Sequence, residues 1–199
     1  VVFVTSAGNN GDENCHISHT FTQQDTLRTQ FTFPPSSIGS SITMMGTAGH
    51  PFAFSLFAMD NNYNIVAETP FHPTADDGIY ENWLVIHGDS VYYAFIADSA
   101  NIYNDRPEVQ LDVAKHSGYK FGLAIASAGG DFHAWNMALI ETKYGNWGGT
   151  FAKPSAHPDW ADVDALYGVS TPGNIDCAIT VAAHAARYTA PSGHVVGGS

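Results

Sequence analysis

Short apolar or alternating runs, separated by turn residues, fill the middle of this chain. The runs are residues 31–33, 52–58, 83–86, 91–96, 109–113, 119–126 and 132–140. Pro, Gly, Asn and Asp residues lie between them, and no helical periodicity intervenes. Strands at this spacing are typical of an antiparallel β-sandwich or jelly roll. Phe52, Phe54 and Leu56 alternate with Ala53 and Ser55, which predicts a half-buried strand.

The two ends of the chain have a different pattern. Residues 1–4 and 178–183 are unbroken apolar runs rather than alternating ones. Such runs predict strands covered on both faces, as in the parallel sheet of an α/β protein. We therefore expect a mainly β chain, a sandwich or jelly roll flanked by short parallel strands from an α/β host domain.

The charge balance restricts the classes of partner. Seven Lys and Arg residues stand against nineteen Asp and Glu residues, and the formal net charge is −12. A nucleic-acid-binding face needs clustered basic residues, which seven cannot supply, so we expect no nucleic-acid partner. No apolar stretch approaches the length of a membrane span, so none is expected.

The chain begins in the middle of an apolar run, Val1 to Val4, without an initiating Met or a basic leader region. Domains rarely begin in this way. We therefore expect a segment whose parent protein continues on both sides, with any targeting signal outside it. We expect the parent to be secreted or to lie in the cell envelope.

The flanks carry the most specific motifs. Residues 1–11, VVFVTSAGNNG, resemble the segment V-V-x-x-x-A-G-N-x-G of the subtilisin-like serine proteases. Residues 168–183, GVSTPGNIDCAITVAA, resemble the next strand of that family, P-x-x-A-x-x-V-I-T-V-G-A. In most members a short stretch separates the two motifs. The β-rich stretch that separates them here resembles the jelly-roll insertion of clostridial spore-germination proteases and Bacteroidetes subtilases.

The resemblance implies a domain layout. Residues 1–15 and 159–199 would be pieces of the catalytic domain, and residues 16–158 the inserted sandwich. An insert leaves and re-enters its host through neighbouring strands, so residues 1–8 and 178–183 are predicted to lie side by side. Strands without the rest of their sheet leave edges and apolar faces open, which predicts self-association through them.

The resemblance also assigns roles to individual residues. Asn9 occupies the position of the oxyanion-hole donor, whose side-chain amide binds the oxygen that becomes negative during attack on the scissile carbonyl. Ser6, Ala7 and Gly8 would line the substrate pocket beside the scissile bond. Taken alone, residues 5–11 favour a turn that ends a strand, because Asn and Gly tolerate positive φ, and it is the second motif that favours the oxyanion-hole assignment instead.

The chain departs from the family pattern in two respects. Ala182 replaces the usual Gly of V-G-A. The Asp, His and G-T-S-x-A motifs that carry the catalytic triad are absent from these 199 residues. Because a triad works as a unit, we expect the chain alone not to hydrolyse peptides. The parent would cleave a peptide or protein substrate, or would be a pseudoprotease if its triad has been lost.

Histidine and cysteine leave two further hypotheses. Cys15, His16 and His19 are zinc-ligating residue types in close sequence, but the region is expected to begin a strand, where residues three apart point to opposite faces. We therefore expect no metal and no cofactor. Cys15 and Cys177 are compatible with a disulfide and equally with two free thiols.

The alternative of a different class is a carbohydrate-binding sandwich with no protease parent. Aromatic side chains in apparent loops would carry sugar binding, and they are Tyr103, Tyr144, Trp147 and Trp160. The competing interpretation is that these rings cap the sandwich or pack on the host. For the insert itself, a structural or contact-forming role is the expectation.

Overall fold

The computed structural model describes residues 3–6, 13–34, 37–139, 149–166, 178–181, 188–189 and 195–196. In these residues the only regular secondary structure is β-strand, so the mainly β fold class is confirmed. The same residues contain no helix with the length and hydropathy of a membrane span. The chain divides into two compact units: Glu13–Leu166, and Val1–Asp12 together with Tyr167–Ser199.

The first sheet of the larger unit has six antiparallel strands. Their bounds are β2 His16–Phe21, β4 Gly39–Met45, β8 Gly78–Ile86, β9 Asp89–Asp98, β10 Glu108–Ala114 and β12 Gly130–Leu139. The order across the sheet is β2-β12-β4-β10-β9-β8. Strand β8 is therefore one edge of this sheet.

The second sheet of the same unit also contains six strands, and all of its strand pairs are antiparallel. Their bounds are β3 Asp25–Thr32, β5 Phe52–Met59, β6 Ile65–Glu68, β7 His72–Pro73, β11 Lys120–Ser127 and β13 Thr150–Ala152. The order is β13-β3-β11-β5-β6, and β7 pairs with the other end of β5. Every predicted run of the middle region overlaps a strand of one of these two sheets, although Phe33 and Tyr119 lie just outside their strands and Ile140 lies outside the described residues.

The inward faces of the two sheets form one aromatic-rich core. Phe54 of one sheet meets Phe95 of the other edge-on, at 5.0 Å between ring centroids, and Phe52 meets Phe132 at 5.2 Å. Such edge-to-face pairs add to the free energy gained by burying the rings. This core makes the larger unit a sandwich, as expected.

Strand β5 is not half-buried along its whole length, which corrects the prediction. Phe57 and Met59 point away from the main core and are nonetheless fully buried. They form a second cluster with Ala124 of β11 and Trp160. The alternating pattern missed this because a segment distant in sequence covers the outer face.

Strand β4 was not predicted, although it lies in the centre of its sheet between β12 and β10. Its first residues, Gly39, Ser40 and Ser41, are typical of turns. Gly39 instead lies so close to the backbone of Val113 that a Cβ atom would collide with the Val113 carbonyl oxygen. A residue that appeared to end a strand therefore permits close approach within one.

The smaller unit contains two pairs of short strands among its described residues. Strands β1, Phe3–Ser6, and β14, Ala178–Val181, form a parallel pair. Strands β15, Tyr188–Thr189, and β16, Val195–Val196, form an antiparallel pair. The predicted proximity of the two apolar flanks is thus confirmed for β1 and β14.

Candidate functional site

The parallel pair β1–β14 positions the motif that the sequence singled out. Phe3 pairs with Ala178, and the register continues to Ser6, which pairs with Val181. The parallel direction of strands so far apart in sequence matches the expectation for an α/β sheet. Ser6, which the resemblance assigns to the substrate pocket, is the last residue of β1.

The described side chains of this pair expose apolar surface. Val4, Ile179 and Val181 are 58%, 56% and 54% exposed. Parallel strands in proteins are almost always covered on both faces, because their connections place other elements there. These two strands therefore have the residue types of buried strands, although their described apolar side chains are more than half exposed.

The remaining residues of the motif cannot be placed geometrically. Ala7, Gly8 and Asn9, assigned to the substrate pocket and the oxyanion hole, lie outside the described residues. They follow directly after the carboxyl end of β1, the end at which α/β sheets bind their ligands. The assigned roles of Asn9, Ser6, Ala7 and Gly8 stay predictions.

A second polar cluster lies in the larger unit and joins residues far apart in sequence. Nδ1 of the buried His16 donates to Oδ1 of Asp164 at 2.6 Å. Nε2 of His16 lies 3.1 Å from Nδ1 of His133. The ring of Trp135 lies 5.0 Å from that of His16 and 5.8 Å from that of His133. His133 and Trp135, two residues apart in β12, share one face of that strand.

The cluster connects the segment that contains Asp164 to strand β2 of the first sheet through hydrogen bonds. The amide of Asp164 donates to the carbonyl of His16 at 3.0 Å, and its carboxylate also accepts from the amide of Leu166 at 2.8 Å. Because the carboxylate accepts the hydrogen bond from Nδ1 of His16, the other ring nitrogen, Nε2, faces Nδ1 of His133. No sequence signal predicts this cluster, since its members are 117 and 148 residues apart.

The zinc hypothesis receives no geometric support from its own residues. The region does begin a strand, as expected: His16 contacts His133, whereas His19 meets the edge of the Phe21 ring at 4.6 Å. Burial raises the pKa of the Cys15 thiol, which opposes the thiolate form that binds metals. Among the described residues, no three metal-ligating side chains are grouped closely enough to hold an ion.

The disulfide hypothesis concerns one described and one undescribed residue. Cys15 is buried and carries a free thiol. Cys177 lies outside the described residues.

The aromatic candidates for sugar binding separate into three groups. Trp160 is only 5% exposed and packs edge-on against Phe57, which corrects its interpretation as an exposed ligand-binding ring. Tyr103 is 89% exposed in the loop between β9 and β10. Tyr144 and Trp147 lie outside the described residues.

Two partly buried histidines make stability depend on pH. Burial lowers the pKa of His72, and burial followed by the nearby His16 ring lowers that of His133. The pKa of histidine in an unfolded chain is about 6.5. Because His72 and His133 have lower pKa values in the folded chain, the unfolded chain binds more protons than the folded chain below that pH. Their stabilising contribution is therefore complete above about pH 6.5 and is lost as the pH falls toward the lowered values.

We expect the urea midpoint to be lower at pH 5 than at pH 8, and His72→Phe to reduce this difference. Asp60 and Asp89 also have lowered pKa values, but they lose their contribution only below their ordinary value of 3.8. Measurement at pH 8, 6.5 and 5 therefore isolates the histidines. An equal midpoint at pH 8 and pH 5 would contradict this prediction.

Comparison with known proteins gives one line of similarity. No family model matches the chain, and neither does any curated protein. Among solved structures, the chain resembles one described as the structure of the Clostridium perfringens CspB protease. The TM-score is 0.58 at 11% sequence identity.

The likeness is one of fold. It covers 90% of this chain but 34% of that protease chain, so the chain spans about a third of its length. At this identity the residues of the protease site cannot be transferred by sequence alone.

Proposed function

We propose that this chain is part of a subtilisin-like serine endopeptidase. Residues 1–15 and 159–199 belong to its catalytic domain in this proposal, and residues 16–158 form a sandwich inserted within that domain. Three features support the proposal: the two flanking motifs, their order, and the fold similarity to a clostridial protease. The insert has a structural or contact-forming role.

The observation that carries the proposal is the parallel pairing of β1 with β14. In the sequence, almost the whole chain lies between β1, which ends at Ser6, and β14, which begins at Ala178. This is expected where an inserted domain leaves and re-enters a host sheet. The exposed Val4, Ile179 and Val181 supply apolar surface for further host elements. We also propose that this surface makes the isolated chain self-associate.

The proposed chemistry centres on Asn9. In the parent, a serine activated by histidine and aspartate attacks the scissile carbonyl, and the Asn9 amide donates to the oxygen as it becomes negative. An uncharged donor suits a charge that exists only transiently. Ser6, Ala7 and Gly8 line the pocket beside the scissile bond, and Gly8 lets the substrate approach the backbone.

An active-site serine probe tests the proposal. We expect a fluorophosphonate to label the full-length parent, at the serine of a G-T-S-x-A motif downstream of residue 199. The 199-residue chain is the matched control, and it should not react. Labelling blocked by substitution of that serine would support the proposal. A parent that lacks the motif, or has the motif without labelling, would contradict the endopeptidase and indicate a pseudoprotease.

A further inference from the structure

Strand β8 presents an unprotected edge of the first sheet. It pairs with β9 over all nine of its residues, from Gly78 with Ala97 to Ile86 with Asp89, in uninterrupted register. Among the described residues, no strand pairs with its other side. The strand contains no Lys, Arg or Pro, and no bulge interrupts it. Natural proteins use such residues and bulges to prevent edge strands from pairing with other chains.

Exposed apolar side chains follow this edge. Ile79, Trp83 and Val85 alternate along β8 on the face that points away from the sandwich, and they are 76%, 58% and 66% exposed. Ile96 of β9, directly opposite Ile79, is 49% exposed. Single exposed apolar residues are ordinary, but four of them on two paired strands beside an open edge mark an interaction surface, which Glu81 interrupts between Ile79 and Trp83.

We propose that two copies of the chain associate through their β8 strands, which pair antiparallel about a two-fold axis at Asn82. This association extends the six-stranded sheet into one of twelve strands. It is separate from the association proposed for β1 and β14 and does not depend on the protease assignment.

The order of residues in β8 selects this register. Centred on Asn82, all nine residues of each strand are paired, and Ile79 lies opposite Val85 of the second copy. Glu81, the only charged residue of β8, then lies opposite Trp83. A register centred on Glu81 would place two carboxylates directly opposite each other, which is unfavourable.

A second copy is favoured as the occupant because the strand is complementary to itself. Although the chain carries a net charge of −12, β8 brings one acid per copy to the contact. A nine-residue strand is about 30 Å long, and paired strands touch only along a narrow line of contact. The area buried by each copy is therefore smaller than the roughly 800 Å² per partner of a standard stable interface. The dimer is therefore weak and forms at high protein concentration.

The first test is sedimentation equilibrium over about 10–500 µM, a range suited to weak association. In a Val4→Lys background, which removes association through the flanking strands, we expect the average mass to rise from one chain toward two, and the additional Trp83→Lys substitution to abolish that rise. Ile102→Lys is the matched control, because Ile102 is 83% exposed but lies in the loop after β9. A wild-type chain of constant single-chain mass, or equal effects of the two variants, would overturn the proposal.

Val4→Lys separates this association from that of the flanking strands. If the mass rise survives Trp83→Lys but is lost in Val4→Lys, the β8 proposal fails and the β1–β14 proposal stands. The reverse result supports the β8 dimer alone.

Cross-linking tests the register. Opposed residues of an antiparallel pair have Cα atoms about 4.5–5.5 Å apart, within disulfide range. Oxidation of Asn82→Cys should therefore link two copies. Ile79→Cys, which faces Val85 of the second copy and leaves Glu81 in place, should link at least about ten times more slowly because the two sulfurs lie outside disulfide range, and the wild-type chain is the background control. Equal linking by the two variants would overturn the Asn82-centred register.

Discussion

Replacing Trp160 by alanine is expected to lower the free energy of unfolding of the sandwich by about 3–5 kcal/mol, the usual cost of truncating a buried tryptophan. The Trp160 ring lies edge-on to the Phe57 ring, at 5.4 Å between centroids, and it stacks on the His157 ring at 4.2 Å. Truncation leaves a cavity above the outer face of β5, and Phe57 loses its cover. At about 2–4 °C per kcal/mol, the melting temperature should fall by roughly 6–20 °C.

Trp83→Ala provides a matched control, because Trp83 is the same residue type with 58% of its surface exposed. Surface substitutions usually change stability by less than about 0.5 kcal/mol, so its melting temperature should change by no more than about 2 °C. Thermal unfolding followed by circular dichroism measures both variants. Equal losses at the two positions would contradict the placement of Trp160 over β5.

The outer cover over β5 explains one limit of the sequence-based prediction. The chain from residue 153 to 166 has no strand periodicity, and its fixed path depends on individual contacts. Nε2 of His157 donates to the Tyr63 carbonyl at 2.9 Å, and the Ala161 amide donates to the Arg28 carbonyl at 2.8 Å. Each contact joins residues more than ninety positions apart. A local pattern contains no information about such partners.

The strands themselves were predictable to the extent that apolar side chains alternate. Strand β9 has this pattern over Val91, Tyr93 and Phe95, all buried, and the predicted run 91–96 covers the central part of the ten-residue strand. Strand β4 was missed because close backbone packing, rather than side-chain hydropathy, requires Gly39. A pattern of residue types can predict which faces are buried but not where two backbones approach each other.

The two candidate sites also differ in how far the sequence predicts them: the β1–β14 pair was predicted, and the cluster around His16 was not. The parallel neighbours β1 and β14 were predicted from unbroken apolar runs and from a family resemblance, both of which lie in contiguous sequence. The contact of His16 with His133 results from the pairing of β2 with β12, and its contact with Asp164 from an isolated antiparallel bridge between those two residues. The exposure of Trp83 depends on β8 being an edge strand, and strand order in a sheet is a property of the whole topology.

In the full-length parent, Asn9→Ala is expected to reduce kcat by about 10²–10³-fold, the usual cost of removing one oxyanion-hole donor. This prediction depends on the proposed function. The Asn9 amide would bind the substrate oxygen most strongly when it carries negative charge, so the loss should appear in kcat while KM changes little. Steady-state hydrolysis of a chromogenic peptide by parent and variant measures both constants.

Asn10→Ala is the matched control, because Asn10 is an adjacent residue of the same type and the motif assigns it no donor role. Its kcat should remain within about threefold of the parent value, well under the 1.36 kcal/mol that corresponds to a tenfold change. Fluorophosphonate labelling of each variant reports whether the catalytic serine is still assembled. If Asn9→Ala retains full activity, or if Asn10→Ala loses as much, then Asn9 is the turn residue that residues 5–11 alone also allow, and another group stabilises the oxyanion.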